Sequence, residues 1–242
     1  MQANSRESIY LWTRHARMRR MTKPTTTARE TGKTCDRLLD AAAELFATRG
    51  FKHTTVRDIC DQAGANIAAI NYHFGSKDKL HLLALEHARE RAIQEDPLPE
   101  LDLPAGMTLD AGPMPPEHRL RRHIHGMIHR ALATGPASWY VGMILREMVD
   151  PTPALHHAID GNIGPHQRKL EGIVAQLMGV DRDDLAVRDA ATAIAGMCLH
   201  YHHCRAALMH LHPDRQLDKA EATRLGLFIT RFALAGIAAA GG

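Results

Sequence analysis

Apolar residues recur along most of this chain at intervals of three and four positions, the repeat of an amphipathic helix. The first such stripe lies on a helix expected from about Thr34 to Arg49, which Gly50 ends as a C-terminal cap. Its members are Leu38, Leu39, Ala42, Leu45 and Phe46. No run alternates apolar and polar residues with the period of two that indicates a half-buried strand. The pattern therefore predicts an all-α fold of about nine helices.

Two short helices follow, with a tight turn between them. The second helix begins at the threonine pair 54–55, a favourable N-cap, and ends at Gly64. Asn66 caps the third helix, which runs from Ile67 to about His73. Two helices joined by a glycine-containing turn of three or four residues form a helix-turn-helix, whose second helix enters the major groove of DNA. We therefore predict this motif at about residues 55–74.

The third helix contains no charged residue. We expect Ala65, Ile67 and Ile70 to pack it against the first two helices and to leave its other face free for a groove. Ser76 caps a fourth helix, which runs to about Gln94. These elements predict a three-helix DNA-binding domain with a helix-turn-helix at residues 34–92.

Positive charge is concentrated at the N-terminus. Residues 1–34 carry eight Lys or Arg against two Glu, a net +6, whereas the other 208 residues carry 22 basic and 25 acidic side chains, a net −3. Few residues in this segment could form a core, so we expect residues 1–33 to be a disordered basic arm that attracts nucleic acid nonspecifically. Met18 and Met21 are alternative starts, which leaves open whether the first 20 residues belong to the native protein.

Proline separates this domain from the rest of the chain. Residues 95–117 hold six of the twelve prolines, which predicts a linker or long loop at 93–117. Beyond it we expect a helical domain at 118–242, in which Gly164–Pro165 should interrupt one helix. Its helices are expected at about 116–133, 138–149, 153–178, 184–210 and 218–239. Small and bulky residues are mixed on the last one and can pack closely on a partner, so we expect a homodimer that forms through the last two helices.

The stretch "AAAELFATRGFKHTTVRDICDQAGANIAAINYHFGSKDKL" (41–80) resembles the DNA-binding domain of the tetracycline-repressor (TetR) family of bacterial transcription regulators. The segments "REMVDPTPAL" and "NIGPHQRKLEGIVAQLMGV" are similar to the CecR-like C-terminal ligand domain of one subgroup. The resemblance implies a homodimeric repressor. Its DNA-binding domains would bind a roughly palindromic double-stranded operator, and its helical domain would bind a small-molecule effector.

The resemblance also implies which residues face DNA. Thr55 matches a hydroxyl that meets a phosphate, and Lys77 matches a lysine that touches the DNA backbone. Where many relatives carry tyrosines, this chain has Asn71 and His73, and its third helix lacks the Arg and Lys that read guanine. We therefore expect Asn71 to read an adenine edge, with thymine methyls and shape supplying the rest. The expected DNA-facing residues are Thr55, Asn66, Ile67, Ala69, Asn71, Tyr72, His73 and Lys77.

The C-terminal domain is expected to hold a hydrophobic, aromatic or antibiotic-like effector, because methionine and aromatic side chains suit such a compound. The candidate pocket residues are Met127, Trp139, Met143, Met148, His200 and Tyr201. Taken singly, each of them is more simply explained as a plain core residue. No cofactor and no bound metal are expected.

The same sequence indicates a cytoplasmic protein. Four cysteines are too few and too unevenly spread for a disulfide framework, and the N-terminus lacks a signal-peptide core. No apolar run reaches ~18 residues, so no membrane span is expected.

Histidines leave one alternative open, since 12 of the 17 lie from residue 118 onward. In the segment 198–212, the pairs Cys198–His202 and His200–Cys204 could each place two metal ligands on one helix face. The pairs point about 160° apart, so they cannot share one ion within a monomer. A metal-responsive regulator is therefore the alternative. A metal-dependent enzyme is less favoured, because no H-E-x-x-H, phosphate-loop or G-x-S-x-G motif occurs.

Overall fold

The computed structural model describes residues 26–95 and 114–240, and within these ranges it contains eleven α-helices, one π-helical turn and no β-strand. The chain divides into two compact units, Met1–Ala88 and Arg89–Gly242, which we call the head and the body. The head contains α1 (Thr26–Arg49), α2 (Val56–Ala63), α3 (Ile67–His73) and most of α4 (Lys77–Glu95). After the end of α4, the body contains α5 (Pro116–Leu132), α6 (Pro136–Val149), α7 (Pro153–Ala158), a π-helical turn (Ile159–Ile163), α8 (Gly164–Met178), α9 (Leu185–His203), α10 (Arg205–Leu211) and α11 (Lys219–Ala240). The all-α prediction is confirmed.

Helix α1 begins at Thr26, inside the segment expected to be a disordered arm, and not at Thr34. Residues 28–30 are good helix formers, so the helix continues beyond the apolar stripe that packs into the head. The remainder of the expected arm, residues 1–25, lies outside the described residues. So does most of the expected linker, residues 96–113.

Aromatic rings form part of the buried core of the head. Phe46 and Phe74 are each 1% exposed. The ring of His81 stacks on Phe51 with 4.8 Å between centroids and meets Phe46 edge-on at 4.6 Å. Burial, and then the nearby charge of Lys77, lowers the pKa of His81 to about 4. This histidine is therefore a neutral part of the core at physiological pH.

Helix α5 is the central helix of the body, where it packs against α6, α8, α9 and α11. Leu120, Ile124 and Ile128 are fully buried and share one face of α5, because they recur every four residues. Leu225 and Ile229 of α11 join the same core. Three of the helices that line the body cavity described below, α5, α8 and α9, contribute residues to this core.

Two breaks divide the segments 153–178 and 184–210, and only the first of them was expected. The expected interruption near Gly164 is confirmed: a π-helical turn precedes it, and a Cβ at Gly164 would lie 2.8 Å from the carbonyl oxygen of Ile159. The second break, at Cys204, was not predicted. After it, Arg205 donates hydrogen bonds to the carbonyls of Leu132 and Leu217. These bonds tie α10 to distant parts of the body, which helical periodicity alone does not reveal.

Within the described ranges, α11 is long and apolar enough by length and composition to cross a membrane. The sequence analysis expected no such helix, because polar residues interrupt the apolar run. Its buried positions belong to the core of the body: Ala222, Leu225, Gly226, Ile229, Thr230, Ala233 and Ile237. A core helix of a globular domain meets the same criterion of length and composition.

Candidate functional site

Two left-handed glycines isolate helix α3 from its neighbours. Gly64 ends α2 at φ 59° and Gly75 follows α3 at φ 78°, a region that side chains rarely adopt. Between them, the side-chain oxygen of Asn66 accepts a hydrogen bond from the backbone N–H of Ala68, which confirms Asn66 as the N-cap. The helix-turn-helix predicted at residues 55–74 is therefore present as α2, the turn and α3.

The inner face of α3 is narrower than predicted. Ile70 is 1% exposed and packs into the head core with Phe74, whereas Ile67 is 41% exposed. The expectation that Ile67 locks the helix inward is wrong, and Ala65 is half-buried. Ile67 stands one turn away from the buried position of Ile70 and points partly to solvent, where an apolar side chain could meet a thymine methyl.

The outer face of α3 is open to solvent. Tyr72 is 82% exposed and Asn71 is exposed, so neither is held by the core. Ala69 is half-buried, and Ala68, which was not among the expected DNA-facing residues, is exposed. Small alanine side chains on an outer face allow the helix backbone to approach a surface closely. This combination suits a helix that lies in a groove.

His73 and Lys77 stand at the end of this surface, both half-buried. The ring of His73 meets Tyr72 edge-on with 5.0 Å between centroids. Desolvation lowers the pKa of His73, so it offers an N–H group and not a full charge at neutral pH. The Nζ of Lys77 donates to the carbonyl of Phe51 at 2.6 Å and lies 4.1 Å from the centroid of the Phe51 ring. These contacts tie the start of α4 to Phe51 within the head.

Thr55 forms the N-terminal edge of the surface. Its hydroxyl and its backbone N–H both donate to a carboxylate oxygen of Asp58, and its Oγ1 accepts from the N–H of Asp58 at 3.1 Å. These bonds form a capping box and lower the pKa of Asp58. The sequence analysis did not select Arg57, an exposed cation in the first turn of α2.

The body contains a cavity of about 300 Å³. Met127 and Met148, both predicted as pocket residues, line it. The remaining lining residues are Arg89, Ala92, Ile93, His123, Arg130, Tyr140, Val141, Ile144, Asn162, Ile163, His166, Gln167, Leu170, Ala195 and Leu199. The volume is at the lower end of the range of ~300–1,000 Å³ that is usual for small-molecule sites.

Four predicted pocket residues do not line this cavity. Met143 is 1% exposed and belongs to the core, while Trp139 is half-buried on the same helix. His200 is exposed, and Tyr201 packs against the body core, with the guanidinium of Arg215 5.6 Å from its ring centroid. Residue type alone did not distinguish a cavity wall from a filled core.

The histidine-rich segment 198–212 is divided by the break at Cys204. Cys198 is fully buried, and desolvation raises the pKa of its thiol to about 12, which opposes the thiolate that a metal requires. Nδ1 of His202 lies 2.9 Å from the carbonyl oxygen of Ala131. Across residues 26–95 and 114–240, no three His, Cys, Asp or Glu side chains are grouped so that they could hold a metal ion.

Comparison with known proteins agrees with this geometry. Residues 38–83 match the bacterial regulatory proteins of the tetR family, and residues 116–239, 124 of the 242, match the C-terminal domain of the HTH-type transcriptional dual regulator CecR. The chain is 27% identical over 220 residues to the transcriptional repressor NicS of Pseudomonas putida, covering 87% of this chain and 95% of that protein. It is 33% identical over 151 residues to CecR of Shigella flexneri, covering 61% and 66%.

Solved structures show the same fold. The TetR family transcriptional regulator PfmR from Thermus thermophilus superposes with a TM-score of 0.53 at 21% identity, over 81% of this chain and 94% of that one. An exposed α3 in a helix-turn-helix, and matches to both characteristic domains, lead to one conclusion. The chain belongs to the TetR family of DNA-binding transcriptional regulators and carries a C-terminal domain of the CecR type.

Proposed function

We propose that this protein is a ligand-responsive, homodimeric repressor that binds a palindromic operator and is released from it by a small molecule. The observation that carries the proposal is α3, a short helix with Ile70 buried on one side and Asn71 and Tyr72 exposed on the other. NicS, the relative that matches over most of both chains, is a transcriptional repressor by name. We place the protein in the cytoplasm, where such a regulator meets the chromosome.

In the proposed complex, α3 lies in the major groove. Asn71 reads an adenine edge, and Ile67 and Ala69 contact thymine methyls. Asn66 stands at the start of the groove-facing helix. Contacts to phosphates fix the position of the head on the DNA. The side chains that make these contacts are those of Thr55, Tyr72, His73 and Lys77.

The proposed dimer forms through the last helices of the body. Leu227, Phe228 and Phe232 are large apolar residues of α11 that are 37%, 49% and 60% exposed, and the two phenylalanine rings stack at 6.2 Å. An apolar patch of this kind on a helix that also fills the core is typical of a self-association surface. Two α3 helices would then meet major grooves ~34–36 Å apart on one side of the operator.

The proposed effector site is the body cavity. Arg89, Ala92 and Ile93 line it from the last turns of α4, and the same helix begins in the head at Lys77. A ligand that binds more tightly when these turns are in one position would shift the whole of α4 toward that position. The affinity of the protein for its operator would then change. That bias is allosteric only if the ligand binds the two states with different affinity.

Selection of bound genomic fragments from the host, with purified protein at physiological salt, tests this proposal. We expect recovery of a short palindrome that the protein binds as a dimer. If the folded protein enriches no sequence, with and without added small molecules, the assignment of α3 as a sequence reader is wrong. Enrichment of a half-site without symmetry would support α3 as the helix that reads DNA and would contradict the proposed dimer.

A further inference from the structure

The two arginines that line the body cavity are already engaged within the protein. Arg130 donates from Nη1 to the carbonyl of Gly126, one turn earlier on α5, at 3.0 Å. Arg130 and Arg89 both have further interactions with other residues of the chain. Neither guanidinium is therefore a charge that waits for a ligand, and the polar recognition of a ligand must come from other groups of the wall.

Three of the uncharged polar side chains of the wall also have partners. The amide of Asn162 donates to the hydroxyl of Tyr140. The amide of Gln167 donates to the carboxylate of Glu171, one turn later on α8, at 3.2 Å. These bonds hold the side chains in place and use part of their capacity for hydrogen bonds.

Two histidines of the wall differ from these groups. Within residues 26–95 and 114–240, neither His123 nor His166 forms a hydrogen bond with another residue. Their rings are 6.1 Å apart between centroids, although one lies on α5 and the other on α8. His123 is half-buried and His166 is exposed, so solvent reaches the pair. The two imidazoles are thus the polar groups of this wall whose hydrogen bonds are open to a ligand.

Both imidazoles are uncharged at neutral pH. Desolvation lowers the pKa of His123 to about 4, with His166, Lys169 and Arg130 adding to the effect. Desolvation also lowers the pKa of His166, followed by Arg130, Lys169 and Arg89. A neutral imidazole keeps one N–H donor. The positive charge around the pair favours the negative end of a ligand dipole, which is a hydrogen-bond acceptor.

The rest of the wall is apolar, and no Asp or Glu is among its lining residues. Burying an ion costs much free energy unless the ion is paired, because water no longer solvates it. An uncharged acceptor avoids most of this cost. The apolar part of the wall is supplied by Met127, Val141, Ile144, Met148, Leu170 and Leu199.

We propose that the effector of this cavity is a compact, uncharged apolar compound whose carbonyl oxygen accepts hydrogen bonds from His123 and His166. This inference rests on the proposed function and names the chemical class of its ligand. The carbonyl oxygen has two lone pairs, so it serves two N–H donors at once. The hydrocarbon part of the compound fills the space beside the methionine and leucine side chains.

Three compounds with one bicyclic skeleton test the acceptor and the charge separately. α-Tetralone carries a carbonyl group, tetralin lacks it, and tetralin carboxylate carries a full negative charge. Calorimetric titration of the full chain at neutral pH, without DNA, gives the affinity for each compound. We expect the ketone to bind at least about threefold more tightly than tetralin, the effect of one or two neutral hydrogen bonds, and more tightly than the acid. Equal affinity for ketone and tetralin, tighter binding of the acid, or no binding of the ketone up to about 1 mM would each overturn the inference.

Histidine variants locate the acceptor. His123→Phe and His166→Phe keep a planar ring and remove its N–H, so each should reduce the preference for the ketone over tetralin at least about twofold. His203→Phe, which changes an exposed histidine outside the cavity, should leave the preference unchanged. Thermal melts identify a variant that fails to fold, and the other cavity variant then decides. A preference that persists in every folded cavity variant contradicts the assignment.

Operator affinity with and without the ketone separates this inference from the proposed function. If the ketone binds through the two histidines and operator affinity does not change, the acceptor site stands and the ligand-responsive part of the proposed function fails. If the protein binds its operator and the ketone does not bind, the regulator stands and the inference about the ligand fails.

Discussion

At the scale of single residues, close packing in the body leaves no room for a side chain at one glycine. Gly226 of α11 lies against the ring of His125, and a Cβ there would be 2.8 Å from the Cδ2 and Nε2 atoms of that ring. His125 is 2% exposed, so the ring has little room to move. Desolvation, followed by Arg121 and His129, lowers the pKa of His125 to about 4, so the ring packs in its neutral form.

We therefore expect Gly226→Ala to lower the free energy of unfolding by about 1–3 kcal/mol, the usual cost of overpacking. Gly172→Ala is the matched control, because no atom lies within 4 Å of the added methyl group on α8. Alanine favours a helix interior over glycine by about 0.8–1.0 kcal/mol, so the control should be neutral or stabilising. Urea denaturation followed by circular dichroism measures both, and equal stability of the two variants would contradict the packing.

Glu221 is a second residue with a measurable role. Its carboxylate accepts from Nε of Arg215 at 2.6 Å and from Nε and Nη2 of Arg224 at 2.7 and 2.8 Å. The hydrogen bonds from Arg224, with those from Arg215, lower the pKa of Glu221 to about 2. Because the folded pKa is below the ordinary value of 4.5, its stabilisation is complete above pH 4.5 and is lost as the pH falls through 2.

Glu221→Gln should therefore destabilise the body at pH 7 by on the order of 1 kcal/mol, a modest figure because Arg224 is largely exposed and solvent screens the pair. The difference from the parent protein should shrink between pH 4.5 and 2. Denaturant midpoints at pH 7 and pH 3 measure it, with the exposed Glu90→Gln as control. A difference that stayed constant with pH would show that charge is not its cause.

At the scale of elements, the two faces of α3 perform different tasks. Ile70 and Phe74 fix the helix to the head, and the outer face presents Asn71 and Tyr72. Lys77, at the start of α4, is tied to Phe51 by a hydrogen bond and lies over its ring. A substitution on the outer face should therefore change DNA binding alone, whereas a substitution of Lys77 should also weaken the head.

For this reason Asn71→Ala should leave the melting temperature unchanged and relax the base preference at one position of each half-site, at a cost of about 1–3 kcal/mol for the preferred base. Lys77→Ala should weaken binding to all sequences, reduce the salt slope by about one and lower the stability of the head. Fluorescence anisotropy with a set of operator variants, at several salt concentrations, distinguishes these results. Parent-like binding by both variants would remove α3 and the start of α4 from the proposed interface.

At the scale of the whole molecule, the proposed function makes operator binding depend on self-association. The exposed apolar residues Leu227, Phe228 and Phe232 lie on the same helix that supplies Leu225 and Ile229 to the body core. One face of α11 therefore stabilises the body while another exposes apolar surface. Because the proposed dimer binds two half-sites together, its loss should lower operator affinity far more than it lowers stability.

We expect Phe232→Glu to convert the protein to a monomer at micromolar concentration, because the interface would bury a charge without a partner. Val149→Glu places the same charge on an exposed apolar residue outside α11 and should leave the dimer intact. Sedimentation equilibrium gives the mass of each variant, and operator titration shows whether tight binding is lost with the dimer. A dimeric Phe232→Glu protein would place the interface on another surface.

The helical fold, the helix-turn-helix and the interruption near Gly164 could all be predicted from the amino-acid sequence. Each depends on local chemistry: the three-and-four repeat of apolar residues, the caps at Thr55 and Asn66, and glycines where the chain must turn. The motif "AAAELFATRGFKHTTVRDICDQAGANIAAINYHFGSKDKL" was also sufficient to indicate the family. These features are encoded within a few residues of one another, so no distant contact is needed to predict them.

Which residues meet in space could be read only from the folded chain. It left Ile67 41% exposed, engaged Lys77 with Phe51, and divided the helix 184–210 at Cys204. It also brought Arg89 and Arg130, 41 positions apart, to one cavity with two histidines, whereas Trp139 and His200 lie outside it. Burial and charge depend on contacts between distant segments, and residue type and periodicity carry no information about those contacts.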